Sequence, residues 1–249
     1  MFLKRKPRQL RWGCRRESTA WQGWRSFVVA ERLEECSDVV GLTLQPVDAG
    51  SLPAFRPGQY VGVRIGEAIR SCSLTGAAIP APDVYRIGVG HIEGGQVSMG
   101  VRQDLALGYT VELQSPKEGF VLPLRNEFPV VLIAGGIGIT LFLSYLETLE
   151  GGAAEPRVTL HYGCRDGESR PFHRRLEALR QRLPNLTLVT HLSRPQSGDR
   201  FDRLGRFTVS DIDAELLRKR AHLHVRVGCD DGRGRRGPAG ARRASFRDL

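Results

Sequence analysis

Residues 129–140 read Pro-Val-Val-Leu-Ile-Ala-Gly-Gly-Ile-Gly-Ile-Thr, and this dozen decides the fold. Pro129–Ala134 is an unbroken apolar run, the pattern of a strand covered on both faces in a parallel sheet. Glycines at 135, 136 and 138 allow a tight turn and close approach of another group to the backbone. Leu141–Leu149 then has helical character. The start of such a helix offers free N–H groups and the positive end of its dipole to an anion. A ligand-free strand-to-helix turn has the same local sequence, so context must discriminate.

Downstream, strand and helix patterns alternate. Val158–Tyr162 forms a second strand, and residues 171–183 an amphipathic helix with Phe172, Leu176, Leu179 and Leu183 on one face. Residues 186–192 make a third strand, 209–220 a helix and 222–227 a fourth strand, which together mean an open parallel α/β sheet. At the end of its second strand stands Gly163-Cys164-Arg165-Asp166. Arg165 suits a ribose 2′-phosphate and Asp166 a 2′-hydroxyl, so NADPH against NADH stays open.

Upstream the texture is β-rich. Short runs at 26–31, 39–45, 60–65, 71–75, 84–89 and 110–114 are separated by turn residues, with one short helix expected at 97–106. This spacing predicts an antiparallel barrel or sandwich. Val121–Pro129, with two prolines and no periodicity, marks the boundary. The expected division is a basic arm at 1–23, a β domain at 24–124, an α/β domain at 128–225 and an Arg/Gly-rich, disordered tail at 226–249.

The chain has 249 residues, 41% of them hydrophobic, which suits two soluble domains rather than a disordered chain. No stretch approaches the ~18 apolar residues of a membrane span, and the basic N-terminus lacks the apolar core of a secretory signal. Five cysteines without a Cys-x-x-Cys pair argue against a disulfide framework or a metal centre, so a reducing cytoplasm is expected. The formal charge is +10, but residues 1–16 carry +7 and residues 226–249 carry +4, leaving −1 for residues 17–225. A nucleic-acid binder needs its basic stripe on folded structure; here the excess belongs to the ends, and no nucleic-acid partner is expected.

A second group of candidate residues lies in the β domain. Phe55-Arg56-Pro57-Gly58-Gln59-Tyr60 is a turn opening into a strand, and Arg70-Ser71-Cys72-Ser73 begins the next one. An arginine and two hydroxyls at a strand edge can hold a phosphate and hydrogen-bond a planar heterocycle, although a satisfied surface arginine has the same look. Gly94-Gly95-Gln96-Val97-Ser98 is another glycine turn before an expected helix. His161 and His191 read as hydrogen-bonded strand histidines. His222 and His224 share a strand face without a third ligand, so no metal site is expected.

In this order, the Pro-Gly-Gln-Tyr turn, the Arg-x-Tyr-Ser-like motif, the Gly-x-Val-Ser turn and the Gly-Gly-x-Gly-x-Thr loop resemble the ferredoxin–NADP reductase superfamily. The run from Trp24 to Tyr60 is most similar to the reductase half of flavohaemoglobins and to related oxygenase reductases. The resemblance covers residues 24 to about 225. It implies a six-stranded Greek-key barrel binding FAD, followed by a parallel α/β domain binding NADPH or NADH. By that resemblance Tyr60 lies by the flavin nucleotide, Arg70 neutralises an FAD phosphate, and Ser71, Cys72 and Ser73 line the flavin. Ser73 takes the catalytic position near N5. Gly95, Gln96, Val97 and Ser98 seat the FAD pyrophosphate; Gly135, Gly136, Ile137, Gly138, Ile139 and Thr140 cradle that of the nicotinamide cofactor. Arg165 borders the latter's ribose. Such proteins take a hydride from the nicotinamide and pass electrons singly to a separate haem or iron–sulfur protein.

The sequence departs from this pattern in places. Cys72 occupies the place of a flavin-stacking tyrosine; losing a stack worth ~0.5–1.5 kcal/mol implies roughly tenfold weaker flavin retention. Leu141 replaces a proline, and Gly90 a basic residue. After Val225 the family pattern would continue with Cys-Gly-Pro, a helix and a closing strand. Here residues 226–249 carry seven arginines, five glycines and no lysine, the composition of a GC-rich gene read out of frame. The expected alternative to an active reductase is therefore an impaired flavin- and nucleotide-binding remnant lacking the normal end of its α/β domain.

Overall fold

The computed structural model describes residues 20–65, 68–90, 105–125, 128–150, 156–212 and 222–226. The expected helix at 97–106, the glycine turn before it, the expected helix at 209–220 beyond Ile212, the arm up to residue 19 and the tail after Arg226 lie outside these.

Six antiparallel strands come first: β1 Arg25–Cys36, β2 Val39–Pro46, β3 Tyr60–Ile65, β4 Ala68–Ser73, β5 Tyr85–Gly90 and β6 Thr110–Leu113. Their order is β4-β3-β6-β1-β2-β5. β1 is twelve residues long, twice its expected length, and two register shifts against β2 interrupt it. Bulges of this kind bend a strand, which lets β1 serve both β2 and β6 around the curve. Phe27, Leu44, Val61, Leu74, Tyr85, Ile87 and Leu113 fill the interior. Ahead of residue 24, one side chain joins the barrel core. Trp21 packs against Phe27 and Tyr85, and its indole N–H donates to the Leu113 carbonyl at 3.1 Å. Trp24 instead lies under the Arg64 guanidinium, 3.9 Å from its ring centre.

The second sheet is parallel, with β7 Val130–Gly135, β8 Val158–Cys164, β9 Leu186–Leu192, the two-residue β10 Arg203–Leu204 and β11 His222–Arg226 in the order β10-β9-β8-β7-β11. β10 was not legible as a strand. A 3-10 turn, Gly136–Ile139, follows β7 and leads into helix α1, Thr140–Leu149. Nine of the ten α1 residues are buried. Its apolar residues join the core of the parallel sheet, while Thr140, Ser144, Glu147 and Thr148 form a polar stripe along which Thr148 accepts from the Ala78 N–H of the barrel. Helix α2 is shorter than expected, His173–Arg182, with Leu176 and Leu179 inward. The expected helix from 209 begins as a 3-10 turn, Val209–Asp211. No helix among the described residues is long and apolar enough to cross a membrane.

The Pro57-Gly58 turn is fixed by contact. Gly58 has φ of +93°, and a Cβ there would lie 1.7 Å from the Phe120 carbonyl oxygen. Gly58→Ala should therefore cost about 3 kcal/mol and lower the melting temperature by roughly 6–12 °C, measured by thermal unfolding of the full chain.

Candidate active site

The ends of the six-stranded sheet, β4 and β5, meet at one point. Leu74 and Ile87 form an isolated antiparallel bridge, and the Thr75 N–H donates to the Arg86 carbonyl at 2.8 Å. Carried on, that register would set Ser73 against Gly88 and Ser71 against Gly90, but no such pairing forms. A wedge opens between Ser71–Ser73 and Gly88–Gly90.

Cross-strand partners share a face. Tyr60 stands opposite Ser73 and Gly62 opposite Ser71, whereas Val61 faces Cys72 and Val63 faces Arg70. Tyr60, Ser71 and Ser73 thus lie on the outer face; Ser71 is exposed, and Tyr60 and Ser73 are half-buried. Cys72 takes the other face. Its side chain is 7% exposed and packs into the barrel core, turned away from the face of Ser71 and Ser73. A free thiol behaves as a small hydrophobe, and burial pushes its pKa up to about 12, so it is neutral. Arg70, half-buried near the start of β4, has no hydrogen-bond or ion-pair partner among the described residues. Gly95, Gln96, Val97 and Ser98 lie outside them.

The glycine turn after β7 lies on the other side of β5. A Cβ on Gly90 would sit 3.5 Å from Ile137 Cγ1, and one on Gly88 only 2.7 Å from Thr140 Cγ2 and 2.8 Å from Phe172 Cζ. Gly136 takes φ of +46°, the left-handed region that glycine enters without cost. The buried Tyr162 hydroxyl anchors the turn, 3.0 Å from the Pro171 carbonyl and 3.3 Å from that of Gly136. Burial first, then Cys164, pushes this phenol well above its ordinary pKa, so it remains a donor. Within the loop, Gly135, Gly136 and Ile137 are half-exposed, but Gly138, Ile139 and Thr140 are buried. The Thr140 hydroxyl donates to the Ile137 carbonyl at 2.9 Å. These last three form the footing of the turn rather than its ligand-facing edge.

At the end of β8, the two ribose candidates separate. Asp166 Oδ1 accepts from the Ser169 N–H and hydroxyl at 2.8 and 2.6 Å, and Oδ2 from Arg165 Nε at 2.9 Å. Although burial opposes it, these bonds hold the Asp166 carboxyl below its usual pKa. The aspartate thus braces its own turn, while the Arg165 side chain is 52% exposed.

Several residues that the sequence left unremarked complete the seam. Arg175 on α2 pairs with Glu147 on α1 and donates to the Thr75 carbonyl of the barrel at 2.9 Å. The Ala78 N–H donates to the Thr148 hydroxyl at 2.8 Å. Glu35 on β1 reaches the Phe172 N–H; burial raises its pKa, against the opposing pull of Arg175 and that N–H. The available signal was the glycine spacing of β5, Ile87-Gly88-Val89-Gly90, since glycine inside a strand often marks close approach of another backbone.

The model of the oxidoreductase NAD-binding domain family matches residues 132–223. The chain is 32% identical over 206 residues to the flavohemoprotein of Deinococcus radiodurans, covering 79% of this chain and 50% of that protein. It spans about half the length of the curated relatives it matches. Among solved structures, the FAD/NAD binding domain of nitric oxide dioxygenase from Vibrio cholerae aligns with TM-score 0.69 at 24% identity, covering 82% of this chain and 99% of that one. Phthalate dioxygenase reductase, described as a modular structure for electron transfer from pyridine nucleotides to [2Fe-2S], aligns with TM-score 0.64 at 22% identity over 83% and 61% of the two chains. These two share the fold.

On the opposite face of the parallel sheet, His161 Nδ1 and His191 Nε2 lie 3.0 Å apart under Phe207. Burial lowers both pKa values, that of His161 to about 4 from the ordinary 6.5. The neutral rings are thus favoured in the folded state. Their contribution is complete above about pH 6.5 and is lost as pH falls toward 4. Denaturant unfolding of wild type and His161→Gln should give a stability difference that shrinks by about 1–3 kcal/mol between pH 7 and pH 4.5.

Proposed function

The chain belongs to the ferredoxin–NADP reductase superfamily, and on that premise we propose that it takes a hydride from NAD(P)H onto FAD and releases electrons singly to a haem or iron–sulfur acceptor. One observation carries this reading. The outward Tyr60–Ser73 face and the accessible Gly135–Ile137 turn flank one strand, β5, whose Gly88 and Gly90 carry no side chains. A planar ring laid in the wedge beside Ser71–Ser73 would have the nicotinamide turn within reach.

The residues present fit both cofactors. Arg70, without a protein partner among the described residues, supplies a charge-assisted donor for a phosphate. Tyr60 offers an aromatic wall on the same face as the Ser73 hydroxyl, which can hydrogen-bond the edge of a heterocycle. The half-exposed backbone of Gly135–Ile137 suits a pyrophosphate. Arg165, half-exposed and held in place by donating to Asp166 and Ser169, stands where the adenosine ribose would end. A bound flavin supplies the two-electron-in, one-electron-out chemistry; the protein contributes orientation and the exclusion of water.

Purified protein titrated with FAD should bind it. Arg70→Ala should weaken that binding by about ten- to a hundredfold with the melting temperature of the FAD-free protein unchanged. Failure of the wild type to bind FAD overturns the reading. Arg165→Ala should lower kcat/KM for NADPH at least tenfold, with ferricyanide as the one-electron probe, and change that for NADH less than twofold. Equal losses on both would assign Arg165 to the turn alone.

A further inference from the structure

Phe172 is the residue on which the two domains close. It is fully buried, and its backbone takes φ of 61° and ψ of 15°, a region bulky side chains enter only when their surroundings over-determine them. Its surroundings do so from both domains. The ring fills the space beside Gly88 on β5, so that a Cβ there would lie 2.8 Å from Cζ and 3.1 Å from Cε2. The Arg175 guanidinium lies 5.5 Å from the ring centre while bonding Glu147 and the Thr75 carbonyl. Glu35 of the barrel takes the Phe172 N–H. Beside this contact the seam is not continuously packed. A cleft of about 230 Å³ runs along it, bordered by Glu31, Glu35, Thr43, Glu147 and Arg175. On this side of the seam the fixed contacts are Phe172 in the Gly88 notch and the bonds of Arg175 and Glu35.

We propose that Phe172 is a positioning residue, a plug whose fit into the Gly88 notch sets the spacing between the Gly135–Ile137 turn and the β4–β5 wedge. This rests on the reductase reading, because that spacing then fixes the approach of nicotinamide to flavin. Phe172 touches neither cofactor. Its influence is geometric, and displacement of about 1 Å at a reacting centre can cost ~10²-fold in rate.

The test uses the full chain loaded with FAD and three variants: Gly88→Ala, Phe172→Leu and the double variant. Gly88→Ala should keep its FAD content and slow flavin reduction at saturating NADPH or NADH by about tenfold or more, with little change in the concentration giving half-maximal rate. Phe172→Leu in that background removes the colliding ring end, leaves the Thr140 Cγ2 contact at 2.7 Å, and should recover part of the loss. Hydrogen exchange supplies a readout independent of turnover. Peptides spanning 85–90 and 137–143 should exchange faster in Gly88→Ala and return toward wild type in the double variant. Wild-type reduction rate in Gly88→Ala, or a double variant slower than either single one, overturns the proposal. If wild type binds FAD but neither nucleotide reduces it, the reductase reading fails, and the plug stands or falls on exchange alone.

Discussion

Gly88 and Gly90 impose the constraint on which the rest depends. Both lie on the strand that ends the barrel sheet; the side chains of Thr140 and Phe172 occupy the space a side chain at 88 would need, and Ile137 lies beside Gly90. With any larger residue at 88, Thr140 and Phe172 would have to move. Because Thr140 opens α1 and closes the glycine turn, such a shift would pass directly into the turn that reaches the candidate site.

The docking also explains α1. Thr140, Ser144, Glu147 and Thr148 form one polar stripe along it, buried or half-buried, and Thr140 and Thr148 meet Gly88 and Ala78 of the barrel. Val39, at the start of β2, belongs to the apolar core built mainly by the parallel domain. The halves thus share a core as well as a polar seam. Glu147, the one α1 residue not buried, is spent on Arg175, and Arg175 in turn reaches the barrel backbone. Half-buried ionic contacts of this kind add little net stability; their value here is that they admit one arrangement.

Much of this was legible. The apolar run before Gly135 is the buried parallel strand β7, and the short upstream runs are barrel strands, because both patterns follow from local periodicity. Tyr60, Ser71 and Ser73 emerge on one outer face as their spacing across a hairpin allows. The inward face of Cys72 was not legible, for a related reason. A motif gives position along the chain, but which face a residue takes depends on register against β3. Thr140 and Asp166 look like ligand groups in sequence, yet their hydrogen-bonding capacity is already used by Ile137 and by Ser169 with Arg165. Trp21 fell outside the expected domain because its partners, Phe27, Tyr85 and Leu113, are distant in the chain.

The sequence alone determined two domains of different class, a glycine turn joining a buried strand to a helix, and a near-neutral body between basic ends. Those depend on periodicity, backbone freedom and charge counting, all local or additive. Only the tertiary structure decided that the β4–β5 seam stays open, that β5 carries the nucleotide turn on its outer side, and that Phe172 closes the joint. These depend on atoms brought together from β1, β5, α1 and α2, and close approach between them is a property of packing that no single stretch encodes.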